Sequence, residues 1–214
     1  MDEAAGWFGK LSSLGDFAQR RVSAQWVGIC DDWLSASMLA GREQLHEHWV
    51  EAYLRAPVLR FGWAPGVVDA QWWFGVLMPS CDNVGRYFPL LVAQPRPRPP
   101  EDRAALEHLE RWFDHIAAAT IQTLSDAGGS VDDFEALLHD APPWPAVLSP
   151  ASSSPAHVPL MHWLEPLVAA RWTQELAGHS LWWRIDPQTA ERDSMQILKG
   201  LPNGEQFVDL ICGD

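Results

Sequence analysis

The sequence predicts an α/β fold, a three-layer α/β/α sandwich around one mixed, mainly antiparallel sheet. Apolar runs at residues 58–63, 71–78 and 88–94 have strand length and short connections, which favour an antiparallel meander. Apolar residues recur at spacings of three and four from Trp26 and again from Leu106, which is typical of helices that bury one face. Because strands and helices mix without strict alternation, the helices are expected on both faces of the sheet.

The first 55 residues are predicted to hold one short strand and two helices. A strand is expected over residues 6–11, and the SSLGDF stretch that follows it has the composition of a turn. Ser23 has a side chain that can cap a helix, which the apolar spacing from Trp26 continues. A second helix is expected over residues 46–55.

The centre of the chain is predicted as strand, sharp turn and strand, with the sequence GVLMPSCDNVGRYFPLLVA at residues 75–93. The first run is apolar without alternation, so this strand should be buried on both faces. Pro79 has no backbone N–H and should end it. The polar residues from Ser80 to Asn83 favour a turn, because their short side chains hydrogen-bond nearby backbone. A polar loop between two buried strands is a common place for function.

The second half is predicted to contain two helices, a loop rich in proline and serine, and a short closing unit. The long helix is expected over residues 102–127, and Ser130 should cap a shorter one, with Asp133 completing a capping-box pattern. The apolar stripe of the long helix is Leu106, Leu109, Phe113, Ile116, Thr120 and Leu124. The loop at residues 141–159 is assigned to the surface of a single domain that spans residues 1–214. The remaining elements are a helix at 160–176, strands at 180–185 and 194–198, and a helix after Pro202.

The composition excludes several classes of partner. The formal net charge of −13 argues against nucleic acid and against anionic membranes, since both require a basic surface. The chain has no signal-peptide pattern at its start and no apolar run of membrane-spanning length, so a cytoplasmic protein without membrane insertion is expected. Three cysteines without a CxxC motif fit free thiols in a reducing compartment.

No motif for a cofactor, a metal or a phosphate group is present, so none of these is predicted. His46 and His48 are two positions apart, and a helix would place them on different faces. Cys81 beside Asp82 allows an alternative interpretation as the nucleophile of a hydrolase. That interpretation requires a histidine base within hydrogen-bond reach, and the sequence does not identify one.

The turn before the first helix and the central loop contain the candidate site residues. The residues predicted to organise the loops are Gly15, Asp16, Ser80, Asp82, Gly85 and Arg86. Asp16, Asp82 and Arg86 can form an ion-pair cluster that holds the two loops together, and Arg86 is expected to be its buried part. The alternative is that the same residues recognise a partner. Contact with a partner is expected at Arg20, Arg21 and Tyr87, because arginine and tyrosine are enriched at protein interfaces.

Three stretches together resemble one known family. They are GWFGKLSSLGDFAQRR at the start, WFGVLMPSCDNVGRYFPL in the centre, and SLWWRI followed by GLPNGEQFVDLICGD at the end. This order is similar to that of the TagF (ImpM-like) family, accessory proteins of bacterial type VI secretion systems. The resemblance implies a three-layer α/β/α sandwich and a cytoplasmic regulator that represses the secretion apparatus after translation. It also implies binding to a forkhead-associated scaffold protein of the same system.

The leading hypothesis is therefore a non-enzymatic regulatory binding protein. Two alternatives stay open at this point: a hydrolase that depends on Cys81, and a structural component of the secretion apparatus. Thiol reactivity tests the first alternative, because a nucleophilic cysteine has to be accessible and activated.

Overall fold

A seven-stranded sheet forms the centre of the computed structural model, which describes residues 4–124, 130–143, 170–184 and 195–212. The strands are β1 (Gly6–Lys10), β2 (Phe17–Arg20), β3 (Leu59–Trp63), β4 (Trp72–Met78), β5 (Leu90–Arg96), β6 (His179–Arg184) and β7 (Gln196–Lys199). Their order in the sheet is β2-β1-β5-β4-β3-β6-β7. Each of the six pairings is antiparallel, so the sheet that was expected to be mixed and mainly antiparallel is antiparallel throughout its described strands.

Helices α1 to α5 flank the sheet. They are α1 (Ala24–Leu45), α2 (Trp49–Arg55), α3 (Arg103–Gln122), α4 (Val131–His139) and α5 (Gly204–Cys212). Ser23 caps α1 as predicted, because its side chain accepts the backbone N–H of Trp26. Ser130 and Asp133 form the predicted capping box of α4. A short 3-10 turn, His46–His48, joins α1 to α2.

Two separate hydrophobic cores lie on the two faces of the sheet. Helices α1, α2 and α5 cover one face, where Trp26, Trp63 and Trp182 are among the buried residues. Helices α3 and α4 cover the other, where Phe113 and Phe134 pack against strand residues. The predicted three-layer α/β/α sandwich is therefore confirmed.

The predicted meander is confirmed at the middle of the sheet. Strand β4 lies between β3 and β5, and all seven of its residues are buried, as the apolar run indicated. The two outer neighbours were not foreseen: β1 pairs with β5, and β6 pairs with β3. Strand β1, from the first part of the chain, and strand β6, from the last part, therefore extend the meander on opposite sides.

Two features of the secondary structure differ from the prediction. Strand β2 was missed, because the four residues Phe17–Arg20 are mostly exposed and show no apolar alternation. Leu106 of α3 and Leu124, two residues beyond its end, were assigned to the buried stripe of the long helix, but they are 52% and 44% exposed. They lie at the two ends of the stripe, beyond the positions from Leu109 to Thr120 at which the helix packs on the sheet.

Several predictions fall outside the described residues. These are the end of the long helix at 125–127, the proline- and serine-rich loop beyond residue 143, most of the helix at 160–176, and the outer ends of the last two strands. The assignment of residues 1–214 to a single domain stays a prediction. Among the described helices, none has the length and apolar character needed to cross a membrane.

Candidate functional site

Two loops meet at one end of the sheet because β1 lies beside β5. The first loop, residues 11–16, follows β1, and the second, residues 79–89, joins β4 to β5; we call them the paired loops. The backbone N–H of Asn83 donates to the carbonyl of Leu14 at 2.9 Å. The guanidinium Nη2 of Arg86 donates to the carbonyl of Gly15 at 2.5 Å. Residues about 70 positions apart in the sequence are thus joined directly.

Asp82 is the centre of the paired loops, and its side chain is buried. Its Oδ1 accepts the backbone N–H groups of Val84 at 3.1 Å and Arg86 at 2.8 Å. Its Oδ2 accepts the Nε of Arg86 at 2.7 Å. Gly85, at φ +80°, completes the turn in the left-handed region that favours glycine. The carboxylate therefore fixes both the backbone of the second loop and one arginine on it.

Lys10 is the second positively charged residue that forms an ion pair with Asp82. Its ammonium lies 2.5 Å from Asp82 Oδ2, and its side chain is 4% exposed. The same ammonium stands 4.6 Å from the centre of the Phe17 ring, which is within the range of a cation–π contact. The buried lysine is therefore held by a carboxylate and an aromatic ring, which offset the loss of its hydration.

The surroundings of Asp82 favour its charged form. Burial alone would raise the pKa of this carboxyl, but the hydrogen bonds from Lys10, from the backbone and side chain of Arg86, and from the backbone of Val84 lower it well below its ordinary value. The group is therefore a carboxylate throughout the neutral range. Asp82 therefore serves to hold Lys10 and Arg86 by ion pairs. So low a pKa does not suit a general acid or base near neutral pH.

Ser80 anchors the start of the second loop. Its backbone N–H donates to the hydroxyl of Tyr53 at 2.9 Å, and that hydroxyl lies 3.0 Å from the Ser80 carbonyl. Its own hydroxyl donates to the carbonyl of Lys10 at 2.8 Å. Ser80 thus ties the loop both to helix α2 and to strand β1, and all of these groups are buried.

The structure separates the predicted loop-organising residues into two groups. Ser80, Asp82, Gly85 and Arg86 lie in one hydrogen-bonded loop, and Gly15 meets it through its carbonyl. Asp16 is exposed and accepts the backbone N–H of Phe17 at 2.8 Å, so it does not take part in the ion pair. Arg86 was expected to be buried, but its side chain is 57% exposed because Lys10 occupies the buried side of Asp82.

The residues predicted to contact a partner differ in their exposure. Arg20 is exposed on the edge strand β2, and among the described residues its side chain bonds only the adjacent carbonyl of Gln19. Tyr87 is half-buried, and its ring packs against that of Tyr53 with centroids 5.8 Å apart. The assignment of partner contact to these side chains stays a prediction.

Arg21, the third predicted contact residue, is engaged within the chain. Its guanidinium donates to the carbonyl of Ala5 at 2.8 Å and forms an ion pair with Glu135 on α4. Trp7 donates its indole N–H to the same carboxylate at 2.5 Å. This junction holds α4 against the first two strands, and Arg21 adopts a φ of +55° to reach it.

Cys81 is half-buried and pairs through its backbone with Tyr87 in an isolated bridge. None of the hydrogen bonds among the described residues joins it to a histidine. In the part of the chain that the structure describes, no group of three His, Cys, Asp or Glu side chains is placed to hold a metal ion.

Sequence reasoning missed Lys10 and Tyr53, which complete the site. Lys10 stands in a predicted strand, where alternation alone gives no reason to pair it with Asp82, 72 residues away. Tyr53 belongs to a predicted helix whose contact with the loop depends on the tertiary fold. The one available signal was the rarity of lysine, since the chain has only two.

Comparison with known proteins identifies a family and a similar solved structure. Residues 6–141 match the family described as the TagF N-terminal domain, type VI secretion system-associated. The crystal structure of PA0076 from Pseudomonas aeruginosa PAO1 has a similar fold with a TM-score of 0.77 and 30% sequence identity, and the alignment covers 99% of this chain and 95% of that one. A comparison with curated proteins gave no match. The similarity to PA0076 extends beyond residue 141, over β6, β7 and α5.

Proposed function

This chain belongs to the TagF family of type VI secretion system-associated proteins, and on that basis we propose that it is a non-enzymatic repressor of its secretion system. It acts after translation by binding the forkhead-associated scaffold protein of the same system, in the cytoplasm. The observation that carries the proposal is the family match over residues 6–141, which include both paired loops.

The geometry of the paired loops supports a binding role. Two buried polar residues of the second loop are bonded within the protein: Asp82 is held by Lys10 and Arg86, and Ser80 is held by Tyr53. A surface fixed in this way loses little conformational freedom when a partner docks, so more of the contact energy goes into affinity. By this proposal, repression follows from occupation of the scaffold, and the loops themselves perform no chemistry.

The test has one part in the cell and one with purified proteins. Deletion of the protein should raise secretion at an unchanged level of the apparatus proteins, and overproduction should lower it. The purified chain should capture the purified scaffold in a pull-down. Unchanged secretion in both strains would contradict the proposal that this protein is a repressor. Stable association with purified secretion particles would instead favour a structural component of the apparatus.

Arg20 offers the first site variant for this pull-down. Its side chain is exposed and bonds only its neighbour, so Arg20→Ala should leave the thermal unfolding temperature unchanged. Arg55→Ala is a suitable control, because that arginine is also exposed and lies on α2, where its side chain forms a surface ion pair with Glu51. If Arg20→Ala captures less scaffold while Arg55→Ala captures a normal amount, Arg20 takes part in the contact.

A further inference from the structure

Three large side chains stand out from the surface of the paired loops. Val84, at the tip of the second loop, is 67% exposed, and Arg86 beside it has a side chain that is 57% exposed. Phe17, which directly follows the first loop, is 46% exposed. Because Asn83 bonds Leu14 and Arg86 bonds Gly15, the second loop, which carries Val84 and Arg86, lies against the loop that leads into Phe17. We call Phe17, Val84 and Arg86 the loop face.

Hydrogen bonds to the buried Asp82 fix the backbone that carries Val84 and Arg86. The backbone N–H groups of Val84 and Arg86 both donate to Oδ1 of the buried Asp82. Gly85 between them is at φ +80°, which directs the chain through a tight turn. The Val84 side chain takes no part in these bonds, so its exposure is a consequence of a fixed backbone. An apolar side chain presented on a fixed backbone is suited to fill a pocket of a partner.

Arg86 is only partly satisfied within the chain. Its Nε donates to Asp82 and its Nη2 to the carbonyl of Gly15, and Nη1 has no hydrogen bond to any other described residue. The two bonds fix the plane of the guanidinium and leave donors directed away from Asp82. A planar group with free donors in a fixed orientation is well matched to a carboxylate.

The charge of this region differs from that of the whole chain. The formal net charge is −13, but within residues 11–20 and 79–89, all of which the structure describes, the exposed charged residues are Arg20, Arg86 and Asp16. These two segments therefore expose one more positive than negative side chain. Electrostatic complementarity therefore favours a carboxylate on the partner and gives a docking rate that depends on salt.

We propose that the loop face is the contact surface of this protein, and that its occupant is a protein surface with an apolar pocket for Val84 and a carboxylate side chain that binds Arg86. This inference rests on the proposed function, since the scaffold is the partner to be tested. It adds the contacting side chains and the chemistry that the scaffold must present. It also places the centre of the contact at Val84 and Arg86. Arg21 and Tyr87 are less suitable, because Arg21 is paired with Glu135 and the ring of Tyr87 packs against Tyr53.

The experiment measures the dissociation constant of the purified chain and the purified scaffold for three variants. Val84→Asp should weaken binding by about thirtyfold or more, as for a central interface residue, without a change in unfolding temperature. Arg86→Gln should weaken binding and flatten its dependence on salt, because a charged contact is screened by ions. Ile197→Asp is the control: it puts the same charge on an exposed apolar position of β7, at the opposite edge of the sheet, and should bind normally.

The outcomes separate the two proposals. If the unchanged chain binds the scaffold and Val84→Asp binds equally well, the loop face is not the contact surface, and the proposed function stands without it. Equal weakening by Ile197→Asp would also overturn this inference, since the effect would then be one of general charge. If the unchanged chain does not bind the scaffold, the proposed partner is wrong, and the occupant inferred here is wrong with it.

Discussion

Lys10 and Asp82 are two charges that the fold keeps almost out of contact with water. Each compensates the other, and the remaining lone pairs of Asp82 are filled by the backbone of the loop that it organises. Replacing such a pair with apolar residues can be neutral, but removing one partner leaves a buried charge without compensation. Loss of either member alone should therefore destabilise the fold, through the charge that stays buried without a partner.

Lys10→Met should lower the unfolding temperature by roughly 10 °C, because Asp82 would keep only its exposed partner Arg86. The chain provides a matched control in its other lysine, Lys199, which is exposed on β7. Lys199→Met should shift the unfolding temperature by less than about 2 °C. Thermal unfolding followed by circular dichroism compares the two, and equal shifts would show that the burial of Lys10 is not important for stability.

Asp82 should also contribute to the acid sensitivity of the protein. Its pKa is lowered in the folded state, so the unfolded chain takes up a proton near the ordinary value of 3.8 while the folded chain resists it. The contribution is complete above that value and is lost as the pH falls through it towards the folded pKa. Unfolding temperatures between pH 7 and pH 3 should therefore fall less steeply in Asp82→Asn, although this variant starts lower.

Asp16→Asn serves as the control for that titration, because Asp16 is exposed and bonds only a backbone N–H. Its profile should follow that of the unchanged chain. Some acid sensitivity should remain in every variant, since the pKa values of Asp133 and Glu135 are also lowered by their hydrogen bonds. A profile of Asp82→Asn parallel to the original would contradict the assigned role.

Among the elements, those with strong apolar patterns could be predicted from the sequence. Strands β3, β4 and β5 are mostly apolar and almost entirely buried, which is the composition expected of strands covered on both faces. Strand β2 has only four residues at the edge of the sheet and buries little, so its pattern carries no such signal. The hydrogen bonds of the paired loops could not be predicted either, because they follow from the pairing of β1 with β5.

Helix α3 allows a sharp test of which apolar residues stabilise it. Phe113 is 1% exposed and packs edge-on against Trp183, with ring centroids 5.2 Å apart. Phe113→Ala should cost about 3–5 kcal/mol of unfolding free energy, as for a core aromatic residue. Leu106→Ala, on the same predicted stripe but 52% exposed, should cost less than about 1 kcal/mol. Chemical denaturation gives both values, and similar losses would mean that the stripe is buried along its whole length.

At the scale of the whole molecule, the last part of the chain completes the sheet that the first part begins. Strand β6 pairs with β3, and its Trp182 is fully buried among the aromatic residues of the α1 face. Phe207 of α5 packs against Trp33 of α1 with ring centroids 6.2 Å apart. The segment matched by the family comparison, residues 6–141, therefore lacks part of its own core.

A chain cut after residue 143 should consequently fail to form a cooperative fold. It would expose one edge of β3 and the face of α1 that α5 covers, and both are lined by large apolar side chains. The expected results are a broad thermal transition and binding of a dye that reports apolar surface. Full cooperativity in the truncated chain would show that residues 1–143 are a domain by themselves, against the prediction of one domain over 1–214.

The position of β1 in the sheet has a consequence for folding while the chain is being synthesised. Strand β1 is buried along its whole length, yet its inner partner β5 begins at Leu90, some 80 residues later in synthesis. At about 5–20 residues per second, a ribosome needs roughly 4–16 s to supply that partner. During this interval GWFGK is an apolar segment with an open edge. Ribosome-bound chains stalled before Leu90 should therefore be held by chaperones that recognise apolar segments, which co-purification would reveal.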